Sequence, residues 1–292
     1  MILIHAIGGL GNQMFQYAVG RALSLESGQL LRLDTSSFTD YGLHQGFELQ
    51  RVFNCQIQVA TQSDLRRVLG WQSSPVVRRL LTRSGFSALR RKEFVVEPHF
   101  HYWPGISEVQ ADCYLVGYWQ SERYFQSQAS AICADFTFTL PLTDKNVELA
   151  KQISEVQAVS LHVRRGDYIN NIKTNAAHGV CSIEYYRTAI QYISNSVKRP
   201  YFFIFSDDIT WVKDNLKMEM PYQYVDHNQG ALSFNDMHLM SLCQHHIIAN
   251  SSFSWWGAWL NPNPGKIVIA PKRWFTNSRN TSDLTPARWV TL

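Results

Sequence analysis

Two adjacent arginines follow a short apolar run in the segment His162-Val-Arg-Arg-Gly-Asp-Tyr168. A guanidinium group offers a planar fork of donors that matches phosphate oxygens, and it stays charged at any working pH. Because side chains alternate along an extended strand, Arg164 and Arg165 cannot both point the same way. We therefore assign Arg164 to an anionic ligand and expect Arg165 to brace the fold. An Arg–Asp brace involving Asp167 is the structural alternative for this motif.

A glycine-rich loop, Gly8-Gly-Leu-Gly-Asn-Gln13, lies between a predicted strand and a predicted helix. Glycines there let the backbone approach a ligand closely, and a helix N-terminus favours anions. Asp34 ends the next predicted strand, so this region half-matches the dinucleotide-binding fingerprint, although Met14 stands where that fingerprint has Gly or Ala. A plain tight turn explains the loop equally well.

Two further segments place polar residues directly after apolar runs. In Phe205-Ser-Asp-Asp208, a carboxylate could accept two hydrogen bonds from the N1–H and amino groups of guanine, or Asp208 could cap the following helix. The segment 249–260 (ANSSFSWWGAWL) runs through a hydroxyl-rich turn into a helix. Its serines and the first backbone N–H groups of that helix would form an anion cradle.

The elements that must position these residues alternate between strand and helix. In the second half we predict strands at 158–163, 201–205, 222–225, 247–249 and 267–270. The first half opens the same way, and we expect one further helix there from about 121 to 134. This alternation predicts parallel sheets, whose ligands bind beyond the carboxyl ends of the strands. The sequence thus predicts two Rossmann-like domains, 1–150 and 151–292, facing across a cleft.

Composition narrows the class of protein. Hydrophobic residues make up 45% of the 292 residues and charged residues 17%, which predicts a large core and excludes global disorder. The net charge of +4 suits an anionic ligand and is too small to indicate nucleic acid. The chain has no Asp-x-Asp pair, no P-loop and no Cys/His zinc pattern, so we expect no metal and no cofactor.

The cellular setting follows from similar observations. Five widely spaced cysteines, no signal-like start and no long apolar run predict a cytoplasmic protein. The segment 61–92 is strongly basic, with Asp64 as its one acid. It is either a solvated helical face or a surface that meets an anionic membrane or a lipid-diphosphate-linked acceptor. The second interpretation would make the protein peripheral at the inner membrane.

Four segments together resemble the glycosyltransferase family 11 α-1,2-fucosyltransferases, nearest to the bacterial members that build surface polysaccharide such as O-antigen. They are 8–18 (GGLGNQMFQYA), 162–168 (HVRRGDY), 205–208 (FSDD) and 245–260 (HHIIANSSFSWWGAWL). The resemblance implies a GT-B-like α/β fold and metal-independent, inverting transfer of L-fucose from GDP-β-L-fucose to the 2-OH of a galactoside. It places Arg164 at the β-phosphate and His162 beside the nucleotide.

The resulting hypothesis assigns every candidate residue. The catalytic set is His162, Arg164 and Asp167, with Asp167 as the base unless the base is weak or water-relayed. The donor-binding set is Gly9, Gly11, Asn12, Gln13, Arg165, Asp207, Asp208, Ser251, Ser252, Phe253 and Ser254. The acceptor-binding set, chosen for aromatic, imidazole and amide groups that suit a galactoside, is His44, His99, His101, Trp103 and Gln120.

The expected partners are GDP-fucose and a galactose-terminated oligosaccharide or lipid-linked glycan, without nucleic acid. Three alternatives stay open at this point. One is a fucosyltransferase of another linkage, such as α-1,6. The second is a dinucleotide-dependent oxidoreductase, suggested by the glycine loop and Asp34, and the third is a non-catalytic sugar-binding module, suggested by the aromatic residues.

Overall fold

The computed structural model describes residues 1–39, 45–109, 112–166 and 179–292, and these divide into two compact units. The first unit comprises Met1–Thr139 and Ser282–Leu284, and the second comprises Leu140–Thr281 and Thr285–Leu292. The expected boundary at residue 150 falls within a helix of the second unit. Leu149 and Ile153 of this helix pack into the core of that unit, which keeps the helix there.

The first unit is built on a parallel sheet of four strands in the order β2-β1-β4-β3. The strands are β1 (Ile2–His5), β2 (Leu31–Asp34), β3 (Phe94–Val96) and β4 (Cys113–Val116). The helices are α1 (Leu10–Ser27), α2 (Leu49–Val52), α3 (Gln62–Leu69), α4 (Pro75–Leu81) and α5 (Ala129–Asp135). Short 3₁₀ turns cover Ser36–Phe38, Gly70–Ser73, Ser84–Leu89, Pro104–Glu108, Glu122–Tyr124 and Gln126–Gln128.

Helix α1 lies directly on the sheet. A Cβ atom added to Gly20 would lie 2.6 Å from Cγ1 of Ile4 and 2.7 Å from Cδ1 of Leu31, so only glycine allows this approach. The helix ends at Gly28, whose φ of +69° is the left-handed conformation common at helix C-termini. The loop before α1 is thereby held at the carboxyl end of β1.

The helix expected from about 121 to 134 begins only at Ala129. Residues 122–128 form two 3₁₀ turns instead. Tyr124 and Phe125 are consecutive and both buried, with Tyr124 packed edge-on against Trp119 and Phe125 packed against Phe15. Consecutive side chains point in different directions from a regular helix, so burying both interrupts its period.

The second unit has a six-stranded parallel sheet in the order β10-β9-β8-β5-β6-β7. The strands are β5 (Gln157–Val163), β6 (Pro200–Ser206), β7 (Tyr222–Val225), β8 (His245–Ile247), β9 (Val268–Ala270) and β10 (Val290–Thr291). The helices are α6 (Lys145–Glu155), α7 (Ile183–Ser196), α8 (Ile209–Asn215), α9 (Phe234–Leu242) and α10 (Ser252–Leu260), and a 3₁₀ turn covers Gly230–Leu232.

This sheet is covered by apolar residues on both faces, as parallel sheets require. Val159 and Leu161 of β5 join one buried cluster with residues of α7, while Ala158 joins another with residues of α6 and α9. The strand expected at 247–249 lies earlier, at His245–Ile247. His246 fits in that strand because Oγ of Ser160 lies 2.8 Å from its Nδ1, and Nδ2 of Asn261 lies 2.7 Å from its Nε2.

Within the described ranges, none of the helices combines the length and the apolar character needed to cross a bilayer.

A buried ion pair joins Asp34, at the end of β2, to Arg78 of α4. The hydroxyl of Tyr114 donates to Asp34 at 2.7 Å, and Arg78 donates to the Tyr114 oxygen at 3.0 Å. Burial opposes ionisation of Asp34, but Arg78 and hydrogen bonds from Ser36 and Tyr114 outweigh it and hold its pKa below the usual value. This carboxylate therefore serves the interior of the first unit, and not the ribose of a dinucleotide.

We predict that Asp34→Asn lowers the free energy of unfolding by about 3–5 kcal/mol, because it leaves the Arg78 charge buried without compensation. The matched control is Asp112→Asn, since the carboxylate of Asp112 is 47% exposed and pairs with the N-terminal amine at 2.7 Å. The control should cost less than about 1 kcal/mol. Urea unfolding followed by circular dichroism measures both values, and equally small losses would contradict the structural role of the buried pair.

Candidate active site

Arg164 and Asp207 meet at the carboxyl ends of β5 and β6. Val163 and Ser206 are paired in register, so the residues that follow them lie side by side. Nε of Arg164 is 3.2 Å from Oδ2 of Asp207, and the Arg165 backbone N–H donates to Oδ1 at 2.8 Å. Burial acts to raise the pKa of Asp207. The charge of Arg164 and the backbone N–H groups of Gly166 and Arg165 act more strongly in the opposite direction, so the pKa lies below its usual value. The carboxylate is therefore ionised and orients the Arg164 guanidinium.

Arg165 takes a different direction. Its Cζ lies 3.7 Å from the ring centroid of Trp211, and its Nε lies 3.7 Å from Oδ2 of Asp208. Asp208 in turn caps α8, since its Oδ1 accepts from the Trp211 N–H at 3.1 Å. The structure thus places Arg165 against Trp211 and Asp208, where it can brace the fold, and Asp208 in the helix-capping position; the assignment of Arg165 to the donor-binding set stays a prediction. Guanine recognition by Asp207 or Asp208 stays a prediction.

His162 lies two residues before Arg164 and is buried. Its ring centroid is 6.0 Å from that of Phe253, and among the described residues its Nδ1 has no hydrogen-bond partner. Burial, together with the charge of Arg164, lowers the pKa of His162 to about 3. The imidazole is therefore neutral at working pH and offers a polar nitrogen beside the arginine.

The hydroxyl-rich turn after β8 opens helix α10, as expected. Ser251 is its N-cap, with Oγ accepting from the Phe253 N–H at 3.3 Å, and Ser254 donates to the Ser251 carbonyl at 3.4 Å. Ser251 and Ser254 are buried, whereas Ser252 and Phe253 are partly exposed. The contact between Phe253 and His162 brings the first turn of α10 next to the end of β5. A helix N-terminus and an arginine thus lie together at one edge of the sheet, an arrangement that suits a phosphate group.

A polar cluster lies beyond β7, and the sequence analysis did not predict it. Nδ2 of Asn228 donates to Oδ1 of Asp236 at 2.8 Å and to Oδ1 of Asn146 at 2.9 Å. Burial raises the pKa of Asp236 to about 7, against an opposing effect of the Asn228 hydrogen bond. The available signal was a run of polar residues directly after a predicted strand, Asp226-His-Asn228. No local pattern, however, indicates that Asp236 folds back onto that run.

In the first unit, the glycine loop follows β1 and contacts the segment that follows β4. Gly8 has a φ of +80°, and a Cβ atom there would lie 2.6 Å from Nδ2 of Asn12. Nε2 of Gln120 donates to Oδ1 of Asn12 at 2.7 Å. One residue predicted to bind donor, Asn12, and one predicted to bind acceptor, Gln120, therefore touch each other.

Of the other predicted residues of this loop, Gly11 and Gln13 are buried and Gly9 is partly exposed. Gln13 is fully buried, donates to the carbonyls of Gly8 and Gly46 at 2.9 and 2.8 Å, and accepts from the Glu48 N–H at 2.9 Å. Its amide ties the loop to the segment before α2. Gly9 is the N-cap of α1, and Gly11 is buried in the first turn of that helix.

The aromatic residues predicted to bind acceptor follow β3. The rings of His99 and His101 stack with centroids 3.5 Å apart, and Nδ1 of His99 lies 2.9 Å from the His101 carbonyl oxygen. The backbone N–H of Trp103 donates to the Tyr124 hydroxyl at 2.9 Å. Since β3 and β4 are parallel neighbours, these residues and Gln120 lie at the same edge of the sheet.

Glu97 also lies at this edge, and the sequence prediction missed it. Its Oε2 accepts from the Tyr118 N–H at 2.7 Å, and its Oε1 accepts from the Trp119 N–H at 3.0 Å. Burial raises the pKa of Glu97 to about 7, although these two hydrogen bonds act to lower it. Glu97 is the first residue after β3, a strand of three residues that the sequence pattern does not reveal.

Two predicted site residues, His44 and Asp167, lie outside the described residues. In the ranges that are described, no three His, Cys, Asp or Glu side chains are grouped closely enough to hold a metal ion. The predicted independence of metal ions stays a prediction.

Two parallel sheets, each with helices packed on it and polar residues gathered at its carboxyl edge, define an α/β protein of the class whose ligands bind at those edges. Crystal structures of the α-1,6-fucosyltransferase NodZ, one of them from Bradyrhizobium, share this fold. Their TM-score is 0.53 and their sequence identity is 13%, over 89% of this chain and 92–93% of theirs. The expected GT-B-like α/β fold is confirmed.

Sequence comparison identifies the family. The model of glycosyl transferase family 11 matches residues 103–292. The chain is 36% identical to an α-1,2-colitosyltransferase of Escherichia coli, over 99% of this chain and 98% of that protein. It is 33% identical to the O-antigen biosynthesis glycosyltransferase WbnK of Escherichia coli over 98% of each. A galactoside 2-α-L-fucosyltransferase of Bos taurus is 24% identical over 88% of this chain and 63% of its own length.

The chain therefore belongs to glycosyltransferase family 11, and the prediction of a glycosyltransferase is confirmed. Membership of this family excludes the two alternatives of an oxidoreductase and a non-catalytic sugar-binding module.

Proposed function

We propose that this enzyme transfers L-fucose, with inversion, from GDP-β-L-fucose to the 2-hydroxyl of a galactoside in the assembly of a surface polysaccharide such as O-antigen. The observation that carries this proposal is the Arg164 guanidinium, oriented by Asp207 at the carboxyl end of β5, the strand whose His162 packs against Phe253 in the first turn of α10. The names of the relatives support the acceptor, since they include an O-antigen glycosyltransferase and galactoside fucosyltransferases.

The chemistry follows from where charge develops. As the bond between fucose C1 and the β-phosphate oxygen breaks, the sugar gains oxocarbenium character and the leaving diphosphate gains negative charge. Arg164 and the N–H groups at the start of α10 would stabilise that charge more strongly in the transition state than in the bound donor. Fixed cationic and dipolar groups would thus take the part that a metal ion has in other transferases. We propose that no metal or other cofactor is required.

Recognition of guanine needs a carboxylate that can accept from N1–H and the amino group. Asp207 and Asp208 are both engaged by arginines, and Asp208 also caps α8. Asp236 receives a hydrogen bond from Asn228 and stands in the cluster beyond β7, the neighbour of β6 in the sheet. We add Asp236 to the donor-binding candidates beside Asp207 and Asp208.

The acceptor galactoside is assigned to the first unit. A galactose ring presents an apolar face that packs on aromatic rings, and hydroxyls that pair with imidazole and amide groups. His99, His101, Trp103 and Gln120 offer these groups at one edge of the sheet. Glu97 lies at the same edge with both carboxylate oxygens held by backbone N–H groups. It is thereby a second candidate, beside Asp167, for the base that takes the proton from the attacking hydroxyl.

A second donor has a specific observation in its favour, the 36% identity to an α-1,2-colitosyltransferase. Colitose is L-fucose without the 3-hydroxyl group, so the two GDP-sugars present the same diphosphate and differ at one polar position. A site built to hydrogen-bond a hydroxyl rejects the analogue that lacks it by orders of magnitude. The α-1,6 linkage of NodZ finds less support, because the likeness to NodZ concerns the fold alone.

We predict that the enzyme releases GDP from GDP-fucose when it is given lactose, lacto-N-biose or Gal-β-1,3-GalNAc, and that EDTA leaves the rate unchanged. Arg164→Lys should lower kcat/KM by about a hundredfold, because an ammonium group cannot reproduce a bidentate contact to phosphate. Arg187→Lys, on the exposed side of α7, is the control and should have no effect.

The same assay with GDP-colitose decides between the two donors, since faster turnover of GDP-colitose would replace L-fucose in the proposal. No GDP release with any galactoside would refute the acceptor class, and loss of activity in EDTA would refute metal independence. Turnover by Arg164→Lys at the wild-type rate would contradict the role of Arg164 at the diphosphate, on which the proposal rests.

The pH profile separates the two candidate bases. If Glu97 takes the proton, its carboxyl group must be ionised, and kcat/KM should fall as the pH drops below about 7, the pKa of Glu97. Glu97→Gln should then remove this acidic limb and lower kcat by about a hundredfold, within the range for general bases. Asp167→Asn should keep the limb. If instead Asp167→Asn abolishes the limb while Glu97→Gln retains it, Asp167 is the base.

A further inference from the structure

One face of the first unit exposes apolar and basic side chains together. We define this basic–apolar face as the exposed side chains of α3, α4 and the two 3₁₀ turns Gly70–Ser73 and Ser84–Leu89, with the adjoining Arg83, Arg91 and Lys92. The elements pack against one another, and α3 and α4 share a buried core that includes Leu65, Val68, Leu69 and Leu81. The exposed side chains are therefore carried on a folded support.

The apolar part of the face is unusual in its exposure. Five large apolar side chains within nineteen consecutive positions face solvent: Trp71 (65%), Val76 (69%), Leu80 (38%), Phe86 (37%) and Leu89 (59%). Single exposed apolar residues are normal, but a concentration of them marks an interaction surface. A solvated helical face is the simpler interpretation of residues 61–92. It accounts for the exposed arginines but does not explain why these five apolar side chains are exposed.

Cations predominate on the face. Its exposed cations are Arg66, Arg67, Arg79, Arg83, Arg91 and Lys92, of which Arg91 pairs with Glu93 at 3.0 Å and Arg67 lies 3.9 Å from Asp112 at the border of the face. Asp64, the one acid among residues 61–92, is buried and is held by Thr61 in the capping box of α3 and by Arg32 at 2.5 Å. The face thus presents an excess of positive charge together with apolar side chains.

From this combination we propose that the basic–apolar face docks the enzyme on an anionic lipid bilayer. Arginine and lysine would bind the phosphate groups of the lipids, while Trp71, Val76, Phe86 and Leu89 enter the boundary between headgroups and acyl chains. A bilayer interface accepts both kinds of side chain at once, and tryptophan is enriched there. Nucleic acid would match the arginines but would leave Val76, Leu80 and Leu89 unburied.

Docking in this way would hold the acceptor-binding unit where lipid-linked glycans are assembled. The inference is independent of the donor sugar, because no residue of the face belongs to the candidate site. A failure of the lipid experiment therefore leaves the proposed transferase activity untouched, and the reverse also holds.

The test is co-sedimentation of the whole enzyme with vesicles of phosphatidylethanolamine and phosphatidylglycerol, compared with vesicles of phosphatidylcholine alone. One variant, Trp71→Ser with Phe86→Ser, removes apolar anchors. A second, Arg79→Glu with Arg83→Glu, reverses two charges. The matched controls in the second unit are Val147→Ser with Leu232→Ser, which are 52% and 55% exposed, and Arg187→Glu with Lys198→Glu, which reverse two exposed cations.

We expect the wild type and both controls to bind the anionic vesicles and not the neutral ones. Each variant of the face should lower the partition coefficient by about tenfold or more, given the contribution of each cation near a charged membrane. The circular dichroism spectrum and the urea unfolding midpoint should be the same for all five proteins, which shows that the variants are folded without use of the proposed activity.

Three outcomes would overturn the inference. Equal vesicle binding by the wild type and both variants of the face would place the contact elsewhere. Loss of binding in the charge variant alone would exclude insertion of the apolar residues. A concentration-dependent dimer in light scattering that Trp71→Ser with Phe86→Ser abolishes would assign the face to a second copy of the chain.

Discussion

The carboxylate of Asp207 connects the ends of β5 and β6, two neighbouring strands in the sheet of the second unit. One oxygen accepts the backbone N–H of Arg165 and the other pairs with the Arg164 guanidinium, so a single side chain fixes both the path of the chain and the direction of the cation. Gly166 allows this approach, because a Cβ atom there would lie 3.2 Å from Cγ of Asp207. The two neighbouring arginines can then diverge, Arg164 at the site and Arg165 against Trp211. The remaining parts of the proposed donor site are arranged around this interaction.

Charged and neutral polar groups lie near this interaction in a combination that suits a leaving diphosphate. Burial and Arg164 keep His162 neutral, so the nucleotide would meet a polar nitrogen and no second cation at that point. The first turn of α10 adds N–H groups that need no counter-ion. In the first unit, by contrast, the strongest charges at the strand ends are consumed internally, as Asp34 is by Arg78. The described residues at that edge include amide, imidazole and indole groups and the carboxylate of Glu97, which are the groups that the proposed galactoside site would use.

Much of this could be predicted from local sequence. Apolar runs followed by polar residues gave the central strands and the ends at which Arg164, Asp207 and Ser251 stand, and strand alternation separated the roles of Arg164 and Arg165. Partners that are distant in sequence could not be predicted this way. Glu97 was missed because β3 has only three residues, and its partners lie more than twenty positions later. Asp236 was missed because its environment comes from Asn228, across a turn that carries no regular pattern.

Calorimetric titration of GDP into the wild type and Asp207→Asn tests the central claim most directly. Loss of the carboxylate charge should release Arg164 and weaken GDP binding by about tenfold or more, or 1.4 kcal/mol and above, with an unchanged circular dichroism spectrum. Asp226→Asn is the matched control, since Asp226 follows β7, is half-exposed and pairs with Lys213 only at 3.8 Å. It should bind GDP as the wild type does. Undiminished affinity in a folded Asp207→Asn protein would contradict the claim that this carboxylate positions the arginine that holds the diphosphate.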